Sequence, residues 1–165
     1  MATTSLGGNA VHTVGDVPAV GDQAPPYTLT GTDLSDITSD SFSGQRVVLN
    51  IFPSLDTGTC AASVRRFNEL ATSLENTTVV CVSQDLPFAM RRFCGAEGID
   101  NVVTGSAFRS SFGTDYGVTQ VEGKQRGLLA RTVIVVDTDG TVLHTEVVPD
   151  IGTEPDYDAA VAALG

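Results

Sequence analysis

Residues 46–52 read RVVLNIF, a near-continuous β-branched and aromatic run that Pro53 cuts off. A strand that is apolar on both faces has to be covered on both faces, which makes it a buried central strand. The period changes after the break. From Cys60 onward, Val64, Phe67, Leu70, Ala71 and Leu74 recur at helical spacing, the mark of one buried helix stripe. Asp56 or Thr57 stands at the expected N-cap, with Gly58 in the approach. Residues 77–83, TTVVCVS, form a second buried-strand run.

The remaining segments extend this alternation. Phe88 to Cys94 predicts a short helix that Gly95 ends. Val102 and Val103 predict a strand, and Ser106 to Asp115 a helix or turn. Thr132–Asp137 and Thr141–Val148 flank Asp139-Gly140, a hairpin signal. Tyr157 to Leu164 predicts a closing helix. Ahead of all this, the first forty residues are rich in Gly, Pro, Ser, Thr and Asp, with short alternations at Ala10–Val14 and Tyr27–Thr30 that suggest an N-terminal β-hairpin. The expected architecture is a mixed α/β sheet flanked by helices, with a thioredoxin-like order of elements. A length of 165 residues suits one domain with one sizeable core.

Charge and composition exclude several classes of function. Lys and Arg total 9 against 20 Asp and Glu, a net charge of -11 that repels phosphate backbones and argues against nucleic-acid binding. No apolar run approaches the roughly 20 residues of a membrane span. Met1 to Val14 has neither a basic n-region nor a continuous apolar stretch, so the expected setting is the cytoplasm. The three cysteines, Cys60, Cys81 and Cys94, are too few and too odd in number for an extracellular disulfide framework. None is paired as C-x-x-C, and the two histidines, His12 and His144, lie far away in sequence. Both facts weigh against a metal site.

Cys60 is the position with reactive potential. The thiolate is the nucleophile, and an unperturbed thiol with a pKa of about 8.5 is only about 3% ionised at pH 7. Helix N-termini and neighbouring cations raise that fraction. Cys60 follows a strand, a proline break and an N-cap, which puts it in the first helical turn, where free N–H groups and the helix dipole favour an anion. The Thr57 hydroxyl can accept from a helix N–H or donate to the sulfur. Arg65, Arg66 and Arg131 are the candidate cations. Arg131 directly precedes a buried strand, where an arginine needs a partner. Position alone is equally compatible with Cys60 as a small apolar core residue, Thr57 as a plain cap and solvated arginines. Cys81, inside TTVVCVS, reads as core, and Cys94 alone reads as a buried helix residue.

Pro53 to Cys60, PSLDTGTC, matches the P-x-x-x-T-x-x-C pattern of peroxiredoxins. NIFPSLDTGTCAASVRRFNE, SQDLPFAMRRFCGAEG, GLLARTVIVVD and TEPDYDAAVAAL together resemble the bacterial thiol peroxidase branch from about Gly8 to Leu164. The resemblance implies a thioredoxin-like fold, a homodimer, and reduction of hydrogen peroxide and organic hydroperoxides with electrons from thioredoxin. It assigns Cys60 as the peroxidatic and Cys94 as the resolving cysteine of one chain. By the same resemblance, Thr57 and Arg131 are expected to orient peroxide and Pro53 to shield the sulfur, with no metal, haem or flavin required. Thr59 departs from the apolar residue common in that branch. The GGLG loop and C-terminal YF element of some eukaryotic-type peroxiredoxins are missing, which implies resistance of Cys60 to overoxidation. Two other functions remain open: a one-cysteine peroxidase that leaves Cys94 idle, and a redox sensor whose disulfide changes partner binding.

Overall fold

The RVVLNIF run lies third from one edge of a seven-stranded sheet, with neighbours hydrogen-bonded on both sides. We describe a computed structural model covering residues 1–165. In chain order it comprises β1 (Thr3–Leu6), β2 (Asn9–His12), β3 (Thr28–Thr30), β4 (Asp36–Thr38), a 3-10 turn (Ser39–Phe42), β5 (Arg46–Ile51) and α1 (Gly58–Ala71). There follow β6 (Thr77–Ser83), α2 (Pro87–Glu97), β7 (Val103–Ser106), α3 (Phe112–Asp115), β8 (Thr132–Val136), β9 (Val142–Val147) and α4 (Tyr157–Ala162). The sheet order is β4-β3-β7-β6-β5-β8-β9. The β5–β6 and β6–β7 pairs are parallel, and the others are antiparallel. β1 and β2 form a separate hairpin.

The two-residue period of β5 divides the core. Val47, Leu49 and Ile51 face one cluster with Val80, Val82, Ile134, Phe112 and Tyr116. Val48 and Phe52 face the other, with Val79, Cys81, Val133 and Val135 from the sheet and Cys60, Val64, Phe67, Met90, Ala160 and Leu164 from α1, α2 and the C-terminal helix region. Burial on both faces explains the unbroken apolar pattern. The sequence-based expectation of a thioredoxin-like mixed sheet with an N-terminal hairpin holds.

The helices obey local rules with some corrections. Cys60, Ala61, Ser63, Val64 and Phe67 are the buried stripe of α1, and Phe67 meets Tyr157 edge-on at 5.2 Å between centroids. Burying one such side chain contributes roughly 1.5–3 kcal/mol. Leu74 lies beyond the end of α1 but packs on the same cluster. Gly95 does not end α2. Pro87 opens the helix and Gly98 closes it at φ 65°, ψ 35°, a left-handed cap. The Gly98 and Ile99 amides both donate to the Cys94 carbonyl, which satisfies the helix end as glycine caps do. Ser106–Asp115 yields only the short α3, because Ser106 completes β7. The first strands are Thr3–Leu6 and Asn9–His12, joined at Gly7 and Gly8, both of which have positive φ.

Candidate active site

The register of two strands creates the site. β5 and β8 pair with Ile51 opposite Thr132. Arg131, one residue before Thr132, therefore sits beside Phe52 and Pro53, where the chain leaves the sheet for α1. Arg131 is 1% exposed and Cys60 is 0% exposed. The Arg131 Nη2 donates to Cys60 Sγ at 3.1 Å. Its Nε donates to the Ile151 carbonyl at 2.8 Å. Nη1 is buried with no hydrogen-bond partner. A buried guanidinium spends solvation that only strong partners offset, so this free donor beside a thiol marks a place for an acceptor.

Cys60 is the third residue of α1, in the first turn. The early N–H groups of a helix lack intrahelical partners, and the dipole there is positive. Thr57 occupies the N-cap with extended backbone (φ -102°, ψ 145°), yet its side chain makes no cap bond. Its hydroxyl donates instead to the Ser54 carbonyl at 3.1 Å, and its amide donates to the same oxygen at 3.2 Å. The expected acceptance from a helix N–H is thus replaced by a tight Ser54–Thr57 turn. Pro53 is buried at the mouth of this turn.

Neighbouring segments hold the arginine and the helix in place. The Ile151 amide donates to the Ser5 carbonyl, and the Thr4 hydroxyl donates to the Val148 carbonyl at 2.7 Å. The β1–β2 hairpin thereby braces the chain that orients Arg131. The Thr59 hydroxyl donates to the Gly152 carbonyl at 3.0 Å, tying the start of α1 to the same segment. Here the polar residue at position 59 has a concrete structural task.

The Redoxin family model matches residues 19–161. The thiol peroxidase of Mycobacterium tuberculosis is 59% identical over 165 residues, covering 100% of this chain and 99% of that protein. The chain belongs to the Redoxin family, in its thiol peroxidase branch. The thiol peroxidase of Corynebacterium glutamicum is 57% identical over 164 residues and 99% of each chain. A crystal structure of a peroxiredoxin-like protein from Aquifex aeolicus superposes with a TM-score of 0.94 at 38% identity, covering 99% of this chain and 96% of the other.

Within the redoxin fold the other thiols are placed apart. All three cysteines are free. Cys94 lies on α2, half-buried against the cluster that contains Cys60, with Sγ 3.9 Å from Thr104 Oγ1. Burial pushes its thiol pKa up, partly countered by the Thr104 contact. Cys81 is fully buried in β6, and burial raises its thiol pKa to about 12, so it is inert as a nucleophile at neutral pH. Arg65 and Arg66 point to solvent. Arg65 pairs with Glu97 at 2.8 Å and stacks 6.0 Å from the Phe93 ring centroid, bridging α1 and α2. Arg66 pairs with Glu69 at 3.3 Å.

Sequence reasoning passed over a buried polar relay behind Cys60. Ser63 Oγ donates to the Cys60 carbonyl at 2.8 Å, and Asn50 Nδ2 donates to Ser63 Oγ at 3.2 Å. Asn50, a polar residue inside an otherwise apolar strand, was the available signal. No group of three or more His, Cys, Asp and Glu side chains is placed to hold a metal. No helix is long and apolar enough to cross a membrane.

Proposed function

We propose that this chain carries out the thiol-dependent peroxide reduction of its family with Cys60 as the peroxidatic and Cys94 as the resolving residue. The observation that carries the reading is the buried Arg131, with one arm donating to Cys60 Sγ at 3.1 Å and the other without a partner. The first arm stabilises a thiolate. The second is free to receive a peroxide oxygen.

The cycle balances in three steps. The Cys60 thiolate attacks the terminal oxygen of the hydroperoxide, and an S–O bond forms as the O–O bond breaks. The leaving oxygen takes a proton and departs as water or an alcohol, leaving the sulfenic acid. Arg131 and the helix N-terminus offset negative charge as it moves along the O–O axis. Thr57 and Pro53 set the approach geometry. The Cys94 thiolate then attacks the sulfenic sulfur, forming the disulfide and expelling hydroxide as water. A thioredoxin dithiol reduces that disulfide by exchange. None of these steps calls for a cofactor. The same reading takes residues 1–165 as a single domain, working as a homodimer in a reducing cytoplasm.

A disulfide needs Cα atoms within about 7 Å. Cys60 and Cys94 lie on separate formed helices, and in this reading one or both segments unwind locally to bring the thiols together. Cys60→Ser and Cys94→Ser in a thioredoxin-coupled peroxide assay test the reading. Loss of turnover in both variants is expected. Full turnover in Cys94→Ser points to a one-cysteine peroxidase. Absence of turnover in the unmodified protein points to a redox sensor.

A further inference from the structure

One carboxylate stands at the junction of the two reactive segments. Asp85 lies between the end of β6 and the start of α2. It accepts from Ser54 Oγ at 2.7 Å, from the Leu55 amide at 2.8 Å and from Ser83 Oγ at 2.6 Å. Its own amide is donated to Ser83 Oγ at 3.2 Å. The carbonyl of Asp85 accepts from Ser106 Oγ on β7. Two of the carboxylate bonds thus cross from the α2 side into the loop that delivers Pro53 and Thr57 to Cys60.

Ser54 passes the constraint onward. Its hydroxyl accepts from the Asp56 amide at 3.1 Å, and its carbonyl accepts both the Thr57 amide and hydroxyl. Apart from the Leu55 amide, which bonds Asp85 directly, the polar bonds within the Ser54–Thr57 turn run through Ser54, and Ser54 is itself held by Asp85. Hydrogen bonds to a charged acceptor are the stronger class.

We propose that Asp85 is a positioning residue for the peroxidatic step. It clamps the Pro53–Thr57 loop onto the β6–α2 junction, and so holds Thr57 and the first turn of α1 in register with Arg131. This rests on the reading of Cys60 as the peroxidatic thiol. A displacement of about 1 Å in a reacting group costs up to about 100-fold in rate, so loss of the clamp is expected to slow sulfenic acid formation by roughly 10- to 100-fold.

The test measures sulfenic acid formation with hydrogen peroxide by quenched flow, alkylation and intact mass. The variants are Asp85→Asn, Ser54→Ala and their double mutant, each checked for folding by circular dichroism. All are made in a Cys94→Ser background, so that the sulfenic acid is read without resolution. Asp85→Asn keeps the shape of the side chain but weakens its acceptor role. Ser54→Ala removes the hydroxyl's bond to Asp85 and its bond from the Asp56 amide but leaves the Leu55 amide on Asp85, so it serves should Asp85→Asn fold poorly. The expected result is a slower first step in each folded single mutant, with the double mutant slowed by clearly less than the product of the two single effects, since they share the Ser54–Asp85 contact. A merely structural Asp85 lowers thermal stability and leaves the rate in place. A folded Asp85→Asn with the unmodified rate, a faster step, or strictly additive effects overturns the proposal. Cys60→Ser distinguishes the two levels: persistent sulfenic acid formation there refutes the Cys60 reading itself, whatever Asp85 does.

Discussion

Replacing Arg131 by methionine removes a charge while keeping most of the side-chain length. In the structure this deletes the Nη2 bond to Cys60 Sγ at 3.1 Å and the unpartnered Nη1. Hydrogen bonds to charged groups contribute about 1.5–3 kcal/mol each, so the two arms together account for about 3–6 kcal/mol of interaction. Part of that is already present with the ground-state thiolate, and only the surplus in the transition state speeds the reaction. The expected loss is therefore nearer that of one preorganised donor, about 10²- to 10³-fold.

Stability is expected to behave differently. A buried guanidinium carries a large desolvation penalty, and replacing buried ionic groups by apolar ones is often neutral or stabilising by about 1–4 kcal/mol. Against this, Arg131→Met leaves the Ile151 carbonyl without its donor, a cost of about 1–3 kcal/mol. The terms nearly cancel, so the melting temperature should move by no more than about 5 °C. Arg131→Lys keeps the charge but not the planar fork that reaches Ile151 and Cys60 together, and should fall between. The chain contains no tryptophan, so the assay is quenched flow with alkylation and mass spectrometry rather than tryptophan fluorescence. A folded Arg131→Met variant that forms sulfenic acid within threefold of the unmodified rate refutes the reasoning.

Three further outcomes concern Cys81, Gly98 and Gly95. Cys81 stays protonated in the fold up to about 12, whereas an unfolded thiol ionises near about 8.5. The folded state holds the extra proton, so this stability is complete below about pH 8.5 and is lost as pH rises toward 12, by up to about 5 kcal/mol. Urea melts from pH 8 to 11 should show a shallower alkaline decline in Cys81→Ala, and equal slopes would contradict the assignment. Gly98 sits at φ 65°, so Gly98→Ala should cost about 1 kcal/mol. Gly95 is inside α2 with no atom within 4 Å of an added Cβ; Gly95→Ala should stabilise the helix by about 0.5–1 kcal/mol and slow disulfide formation about 2- to 5-fold. An unchanged disulfide rate with a raised melting temperature would exclude unwinding of α2 before resolution.

The parts of the fold legible in the sequence are those governed by local period. RVVLNIF, TTVVCVS and the strands around Asp139-Gly140 announce themselves because burial on two faces and turn chemistry are short-range. β4 and the single β3–β7 bridge from Thr30 to Ser106 escape notice, since three-residue strands carry too little pattern. The choice of Gly98 over Gly95 depends on where Pro87 starts the helix, a register that glycine content alone does not reveal. Thr57 was legible as an N-cap position, but its hydroxyl partner depends on how the loop folds back on Ser54. Arg131 was conspicuous as a charge beside a buried strand, while its partner followed only from the β5–β8 register. Asp85 carried no visible signal, because an aspartate between a strand and a helix is ordinary.

The geometry sets two opposed demands on the Cys60 helix, and the structure distributes them unequally. In the proposed cycle, attack on peroxide needs the first turn of α1 held still. That turn is tied by Thr59 to Gly152, by Ser63 to the Cys60 carbonyl, and by Asn50 behind Ser63. Ser63 and Asn50 are 0% exposed, so breaking their bonds strands buried polar groups at about 1–3 kcal/mol each. The end of α2 is held more lightly. Its main tie to α1 is Arg65–Glu97, whose side chains are 47% and 36% exposed, a class of ion pair contributing about 0–1 kcal/mol. Gly95 lowers its helix propensity further. The segment that yields during resolution should therefore be the Cys94 end of α2 rather than the first turn of α1. Hydrogen exchange on the reduced protein should show amides of residues 94–98 opening at least tenfold faster than those of residues 61–64. Greater protection in α2 than in α1 would reverse the assignment and place the melting step at Cys60.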